Sequence, residues 1–337
     1  SLCIIVREHS NVRNCSRYCI KLRFSFNLFR KITENTIGDI MLGQIIQFTI
    51  DTLSLGSLYA LMALGLVIVY GILKLVNFAY GELIMVTGYT LFLLNASPLP
   101  WLFMAVCAIF MAIFVGISTE LIAFRPVRAK SVTAVLITSF AFSTLLQNAA
   151  LLFISPRTRQ VPLPDIFSES IELAGVITPI RNIITIVCAV LLLIIFALLL
   201  KKTVLGIALR AAASEFRMAR MLGVPANLVI SLAFAISGLF AGIVGILWLG
   251  RIGVVVPTIG LEPLLIAFIA TVIGGMRSLQ GAVLGGYLLA FIDVSLSYSL
   301  HQDLLQFRDA FTFSFVILLL VIKPEGLIKG PATGQRT

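Results

Sequence analysis

The chain has 337 residues, of which 59% are hydrophobic and only 12% charged, with a mean hydropathy of +1.07. A soluble domain carries about a quarter charged residues, and one globule of this size cannot hide so much apolar surface from water; a soluble enzyme is excluded. The net charge of +10 does not indicate nucleic acid, because Lys and Arg fall in short gaps between apolar runs and form no basic face interleaved with aromatics.

Residues 1–40 differ in character from the rest of the chain. They carry Arg7, Arg13, Arg17, Lys21, Arg23, Arg30 and Lys31 against Glu8, Glu34 and Asp39, and contain no apolar run that spans a bilayer or serves as a signal core. Met41 opens MLGQIIQF, where the composition turns apolar at once. The expectation is that Met41 is the natural start and that 1–40 is not native to the protein or is disordered; the alternative is a basic cytoplasmic or amphipathic leader. Residues 41–330 then form the membrane domain and 331–337 an inner tail.

A helix needs about twenty apolar residues to cross the hydrocarbon core. Candidate spans are 44–72, 83–97, 101–124, 131–154, 182–200, 228–249, 262–276, 281–300 and 309–322. Of these, 83–97 is short enough to be a half-crossing, and 44–72 is long enough to tilt or to break near Gly56. The fold expected is all-α, a polytopic bundle of roughly eight to ten spanning or half-spanning helices, with an arrangement of Gly-rich helices compatible with an inverted repeat.

Three loops set the orientation. Residues 125–130 (RPVRAK) and 201–227 are basic, whereas 155–181 are rich in Pro, Ser and acids. Placing the basic loops inside puts 155–181, 250–261 and 301–308 outside, and Arg277 with the C-terminal Lys and Arg residues inside. Residue 44 then lies outside with the basic leader attached, which conflicts with the charge rule and sets 1–40 apart again.

Several residues stand out against the apolar background. GILKLVNFAYGELIMVT (71–87) places Lys74, Asn77 and Glu82 among apolar neighbours. A charge at mid-bilayer costs about 2.5–3.5 kcal/mol on insertion scales. Gly71 and Gly81 permit a helix break, which lipid tolerates where protein or a cavity shelters it. The segment reads either as a discontinuous element lining a translocation path, with Asn77, Gly81 and Glu82 on it, or as an interfacial turn with Lys74 and Glu82 wet. Asp51 faces the same path or sits at the outer interface. Glu120 precedes the basic loop closely enough to snorkel or to pair with Arg125, a structural role.

Residues 203–227 read TVLGIALRAAASEFRMARMLGVPAN, a helix-forming segment ending near Gly223 and Pro225. It is a handle for another protein or an amphipathic helix at the headgroups. Gly238, Gly242 and Gly245 on one span, and Gly274, Gly275, Gly281, Gly285 and Gly286 further on, are read as helix-packing positions at small-residue spacing. The sequence contains no GxxxxGK[ST] phosphate loop and no Ser/His/Asp or metal constellation. Cys107 and Cys188 lie singly in apolar runs, while Cys3, Cys15 and Cys19 lack metal-ligand spacing, and the histidines are His9 and His301. No metal, catalytic residue or cofactor is assigned to this chain.

SLGSLYALMALGLVIVYGILKLVNFAYGE (54–82) resembles the opening of the branched-chain amino acid permease family of ABC importers. The family's Asn-Phe-Ala-x-Gly-Glu signature falls on Asn77, Phe78, Ala79, Gly81 and Glu82. RAAASEFRMARMLGV (210–224) is similar to its ATPase-docking loop, and VIGGMRSLQGAVLGG (272–286) to its glycine-paired segment; the likeness covers about 41–330. The general importer docking motif is matched only at Ala219 and Gly223, and Arg277 stands where the family often has a small residue.

The resemblance implies an inner-membrane permease subunit importing branched-chain or hydrophobic amino acids. It implies a coupling loop including Arg210, Ala212, Arg217, Ala219 and Gly223, and ATP hydrolysis on a partner. The implied partners are a homologous second permease, two ATPase subunits and an extracytoplasmic solute-binding protein, with the lipid bilayer and without nucleic acid. Relatives carrying urea or short amides leave that cargo open. An ion-coupled secondary transporter using Asp51 and Glu82, or a membrane anchor or signalling subunit, are the alternatives from other classes.

Overall fold

The computed structural model describes residues 12–128, 131–154, 156–161, 163–167, 169–173, 176–214, 221, 225–276, 278–323 and 326–328. Contacts divide the chain into two units, one of 1–49 with 172–177 and one of 50–171 with 178–337. In the first unit the described N-terminal part is helical from Val12 onward. The change of composition at Met41 therefore does not interrupt the helix.

The helices are α1 (Val12–Leu73), α2 (Tyr80–Leu94), α3 (Trp101–Ser118), α4 (Val132–Phe153), α5 (Ile180–Lys202), α6 (Val204–Ser214), α7 (Ala226–Ile252), α8 (Leu261–Gly274), α9 (Leu279–Ser299) and α10 (Arg308–Ile322). A π-helical turn, Thr119–Phe124, extends α3. Short strands cap one end of the bundle: β1 (Arg159–Gln160) pairs antiparallel with the later strand Val254–Val255, with Arg159 opposite Val255. Among the described residues, seven helices are long and apolar enough to cross a membrane, and α2 and α8 are apolar but shorter. The protein is thus an all-α, multi-pass membrane protein.

The stretch of α1 from Ser54 to Ile72 is the core of the second unit. Leu58, Ala60, Leu61, Met62 and Ala63 are each fully buried, so this helix is apolar on every side because it has neighbours on every side. By contrast α4, α5 and α10 expose large apolar residues such as Phe140, Ile194, Leu198 and Val321. These faces suit lipid, where an exposed aliphatic side chain carries no penalty.

Glycines set the spacing between helices. On α7, Gly238 and Gly242 lie against α3, where an added Cβ would come within 2.8 Å of the Ala112 carbonyl oxygen and 3.0 Å of Ile109 Cα; Gly245 lies against Thr87 of α2. On α9, a Cβ at Gly285 would lie 2.0 Å from the Ala270 oxygen, and one at Gly286 2.5 Å from the Ala60 nitrogen. Gly274 and Gly281 meet backbone to backbone across the α8–α9 turn, and Gly275 in that turn has φ +101°, which an L-side chain rarely adopts. Gly285→Ala is expected to cost about 1–3 kcal/mol by overpacking. The check is the thermal unfolding midpoint of the purified protein, which should fall.

Two alternatives are decided by the structure. α1 runs unbroken through Gly56, which instead makes room for the ring of Tyr287. Glu120, fully buried, pairs with Arg128 at 3.4 Å rather than with Arg125. The π-helical turn that carries Glu120 brings the carboxylate to Ser231 of α7 as well, whose Oγ donates to it at 2.8 Å, and Arg128 also donates to Asn227. The start of α7 is thereby tied to the end of α3.

Candidate transport site

The break between α1 and α2 spans residues 74–79, and its unusual backbone belongs to Lys74, with φ +57°, not to Gly71 or Gly81. Lys74 tolerates this conformation because its N–H still closes on Tyr70 O at 2.8 Å while Nζ donates to the Ala213 carbonyl of α6 at 2.9 Å. Asn77, almost fully buried, folds the turn back: its Oδ1 accepts from the Ala79 N–H at 3.0 Å, and its carbonyl accepts from Tyr80 N–H at 3.2 Å. The amide is committed to starting α2.

Gly81 serves a contact between helices. A Cβ on Gly81 would lie 2.2 Å from the Gly260 oxygen, and one on Gly260 would lie 2.3 Å from the Gly81 oxygen. The N-termini of the two short helices, α2 (15 residues) and α8 (14 residues), therefore abut. Both ends carry the positive end of a helix dipole, although the Tyr80, Glu82 and Leu261 N–H groups already donate to the carbonyls of Asn77, Ala79 and Thr258. Each carries an acid in its first turn, Glu82 and Glu262, the arrangement that offsets that dipole.

Glu82 is fully buried, which excludes the wet-turn reading. Its Oε1 accepts from Ser143 Oγ at 2.9 Å and from Gln147 Nε2 at 2.7 Å, residues one turn apart on α4. Phe78 stacks on Phe140 of the same helix with ring centroids 3.9 Å apart. The other oxygen, Oε2, is buried without a hydrogen-bond partner among the described residues. An unpaired carboxylate oxygen away from water is costly.

Asp51 does not join this site. It stands 22 residues before Leu73 on α1, about 33 Å of helix rise, and belongs to a separate cluster. There Asn182 Nδ2 donates to Asp51 Oδ1 at 2.9 Å, Tyr298 OH donates to Oδ2 at 3.0 Å, and Arg251 donates to Ser54 Oγ at 2.6 Å. A second cluster centres on Asp293, paired with Arg308 at 3.1 Å and accepting from Tyr59 OH at 3.1 Å. Neither was legible beforehand, since each joins residues far apart in the chain.

Of the coupling-segment residues, Arg210 is exposed and Ala212 buried on α6; Arg217, Ala219 and Gly223 lie outside the described residues. The Lys74–Ala213 bond joins this segment directly to the α1–α2 break.

A break beside a buried carboxylate and two half-length helices meeting at their N-termini, within a bundle of lipid-facing spans, make the arrangement in which membrane transporters place their sites. Residues 48–322 match the family described as branched-chain amino acid transport system / permease component, and the chain belongs to that family. It is 33% identical over 299 residues to the high-affinity branched-chain amino acid transport system permease protein BraD of Pseudomonas aeruginosa, covering 85% of this chain and 96% of that one. It is 34% identical over 303 residues to LivH of Escherichia coli K12, with the same two coverages. A probable branched-chain amino acid transport permease protein LivH of Methanocaldococcus jannaschii is 30% identical over 283 residues, 80% of this chain and 88% of that one. The chain is a permease component of a multi-component transport system.

Proposed function

We propose that the chain is one of two membrane subunits of an ABC importer that carries branched-chain, hydrophobic amino acids inward across the cell's inner membrane. The observation that carries this is the near end-to-end likeness to relatives named as branched-chain amino acid permeases. A homologous second permease completes the path, two ATPase subunits hydrolyse ATP on the inner side, and an extracytoplasmic solute-binding protein delivers the cargo.

In this reading, nucleotide-driven closure of the ATPases moves the 203–227 segment. Lys74 passes that movement from α6 to the α1–α2 break, and the half-helix contact at Gly81 and Gly260 shifts between two packings. Glu82 lies on the moving side, with α4 held to it by Ser143 and Gln147. α4 also exposes Thr144 and Asn148 in mid-span, where lipid is a poor neighbour for polar groups. That face suits the second permease or the path between the two.

The test is leucine uptake in cells lacking their own carriers, supplied with this chain and its partner subunits. Uptake is expected to require the ATPase and the binding protein, and to survive an uncoupler while ATP is maintained. Uptake that collapses with the uncoupler at constant ATP marks an ion-coupled carrier instead, and urea competing as well as leucine overturns the substrate class. A further expectation concerns Lys74→Met, which removes the bond to Ala213: ATPase association should persist while uptake falls about fivefold, the effect of losing about 1 kcal/mol of coupling. Parallel co-purification and uptake measurements separate these quantities.

A further inference from the structure

Two adjoining cavities open where α5 meets α6. One, of about 280 Å³, is lined by Val67 and Ile72 of α1, Phe196 and Leu200 of α5, and Leu209 and Arg210 of α6. The other, of about 240 Å³, shares Phe196, Leu200 and Arg210 and continues between Leu64, Leu193 and Val283, with Lys201 at its rim. The walls are mostly aliphatic and aromatic, with Arg210, Lys201 and Gln280 as the polar side chains among them.

Three features identify the occupant. Lys201, Lys202 and Arg210 are exposed and form no ion pair among the described residues, and Lys201 and Arg210 line the cleft itself. The cleft reaches the surface of α5 at Ala197, which lines it and is exposed, next to the exposed Ile194 and Leu198 of the apolar span. α6 borders both cavities through Arg210, which lines each of them beside Phe196 and Leu200 of α5. An apolar cleft reached from lipid and closed by cations at the membrane surface matches an acidic phospholipid in both halves, phosphate at the rim and acyl chain in the cleft.

We infer that this cleft is a binding site for an acidic phospholipid of the leaflet that contains the basic loops. The lipid wedges between α1, α5 and α6, beside the segment that the transport reading assigns to coupling; the inference itself rests only on the membrane disposition of the chain.

The experiment is native mass spectrometry of the full-length protein in detergent, titrated with dioleoylphosphatidylglycerol or dioleoylphosphatidylcholine. The wild type is expected to retain phosphatidylglycerol preferentially. The double variant Lys201→Gln/Arg210→Gln should lose roughly thirtyfold in affinity for phosphatidylglycerol, about fivefold for each cation, and bind both lipids alike. Ala197→Trp fills the cleft at an exposed position of α5, leaves the cations in place and should weaken both lipids. Equal retention of the two lipids by the wild type overturns the site, as does unchanged phosphatidylglycerol binding in either variant. Competition by glycerol phosphate as effective as by the whole lipid overturns it too, since the cleft would then take no part.

Discussion

Glu82→Gln is expected to reduce leucine uptake by tenfold or more, while the protein still inserts, remains folded and holds its ATPase partners. The substitution keeps an oxygen to accept from Ser143 and Gln147 but removes the charge from the buried Oε2, which has no donor among the described residues. A tenfold loss corresponds to about 1.4 kcal/mol, modest for a buried charge. Glu82→Ala separates transport from architecture. It strands the Ser143 and Gln147 donors in an apolar setting, so the unfolding midpoint should fall with a loss of about 2 kcal/mol, which Glu82→Gln largely avoids. Parallel uptake and thermal unfolding of the two variants provide the check; wild-type uptake in Glu82→Gln assigns the carboxylate to packing alone.

The second large effect is expected at the half-helix contact. Gly81→Val must push its side chain into the Gly260 carbonyl, 2.2 Å from where the Cβ would stand, and Gly260→Val must do the reverse. Both obstacles are backbone, with no side chain to rotate away, so overpacking is expected to cost about 3 kcal/mol and uptake should be abolished. Because the two glycines share one contact, the double variant should lose less than the sum of the singles, a coupling that a double-mutant cycle on unfolding would reveal. Full additivity would place the two effects in separate sites.

The class and most of the spans were readable from sequence because a bilayer imposes them: twenty apolar residues with polar gaps admit few arrangements. The break after α1 was also readable, from Lys74, Asn77 and Glu82 crowding an apolar stretch. What misled was the identity of the residue that bends. Glycine is the default for positive φ, yet Lys74 takes it, held by a bond to Ala213 that is 139 positions away. Gly81 was singled out, but the contact it makes involves Gly260 in another span, and no local pattern announces a pairing across 179 residues. Glu120 obeys the same logic. Arg125 is nearer in sequence, but the π-helical turn shifts the register and presents the carboxylate to Arg128 and Ser231. Asp51 was grouped with Glu82 because both are acids in apolar runs; the length of α1 separates them. Clusters such as Asp51–Asn182–Tyr298 and Asp293–Arg308–Tyr59 are tertiary facts, invisible until the helices are placed.

The central claim is that the α6 segment faces the cytoplasm as the handle through which a separate ATPase works the bundle. It is tested most directly by placing a single cysteine at Ile207, exposed on α6, in a background with the native cysteines replaced, and treating membranes with an impermeant maleimide. The account predicts labelling in inside-out vesicles, none in intact cells, and protection when the ATPase subunit is bound. Labelling of that cysteine from outside intact cells would contradict it.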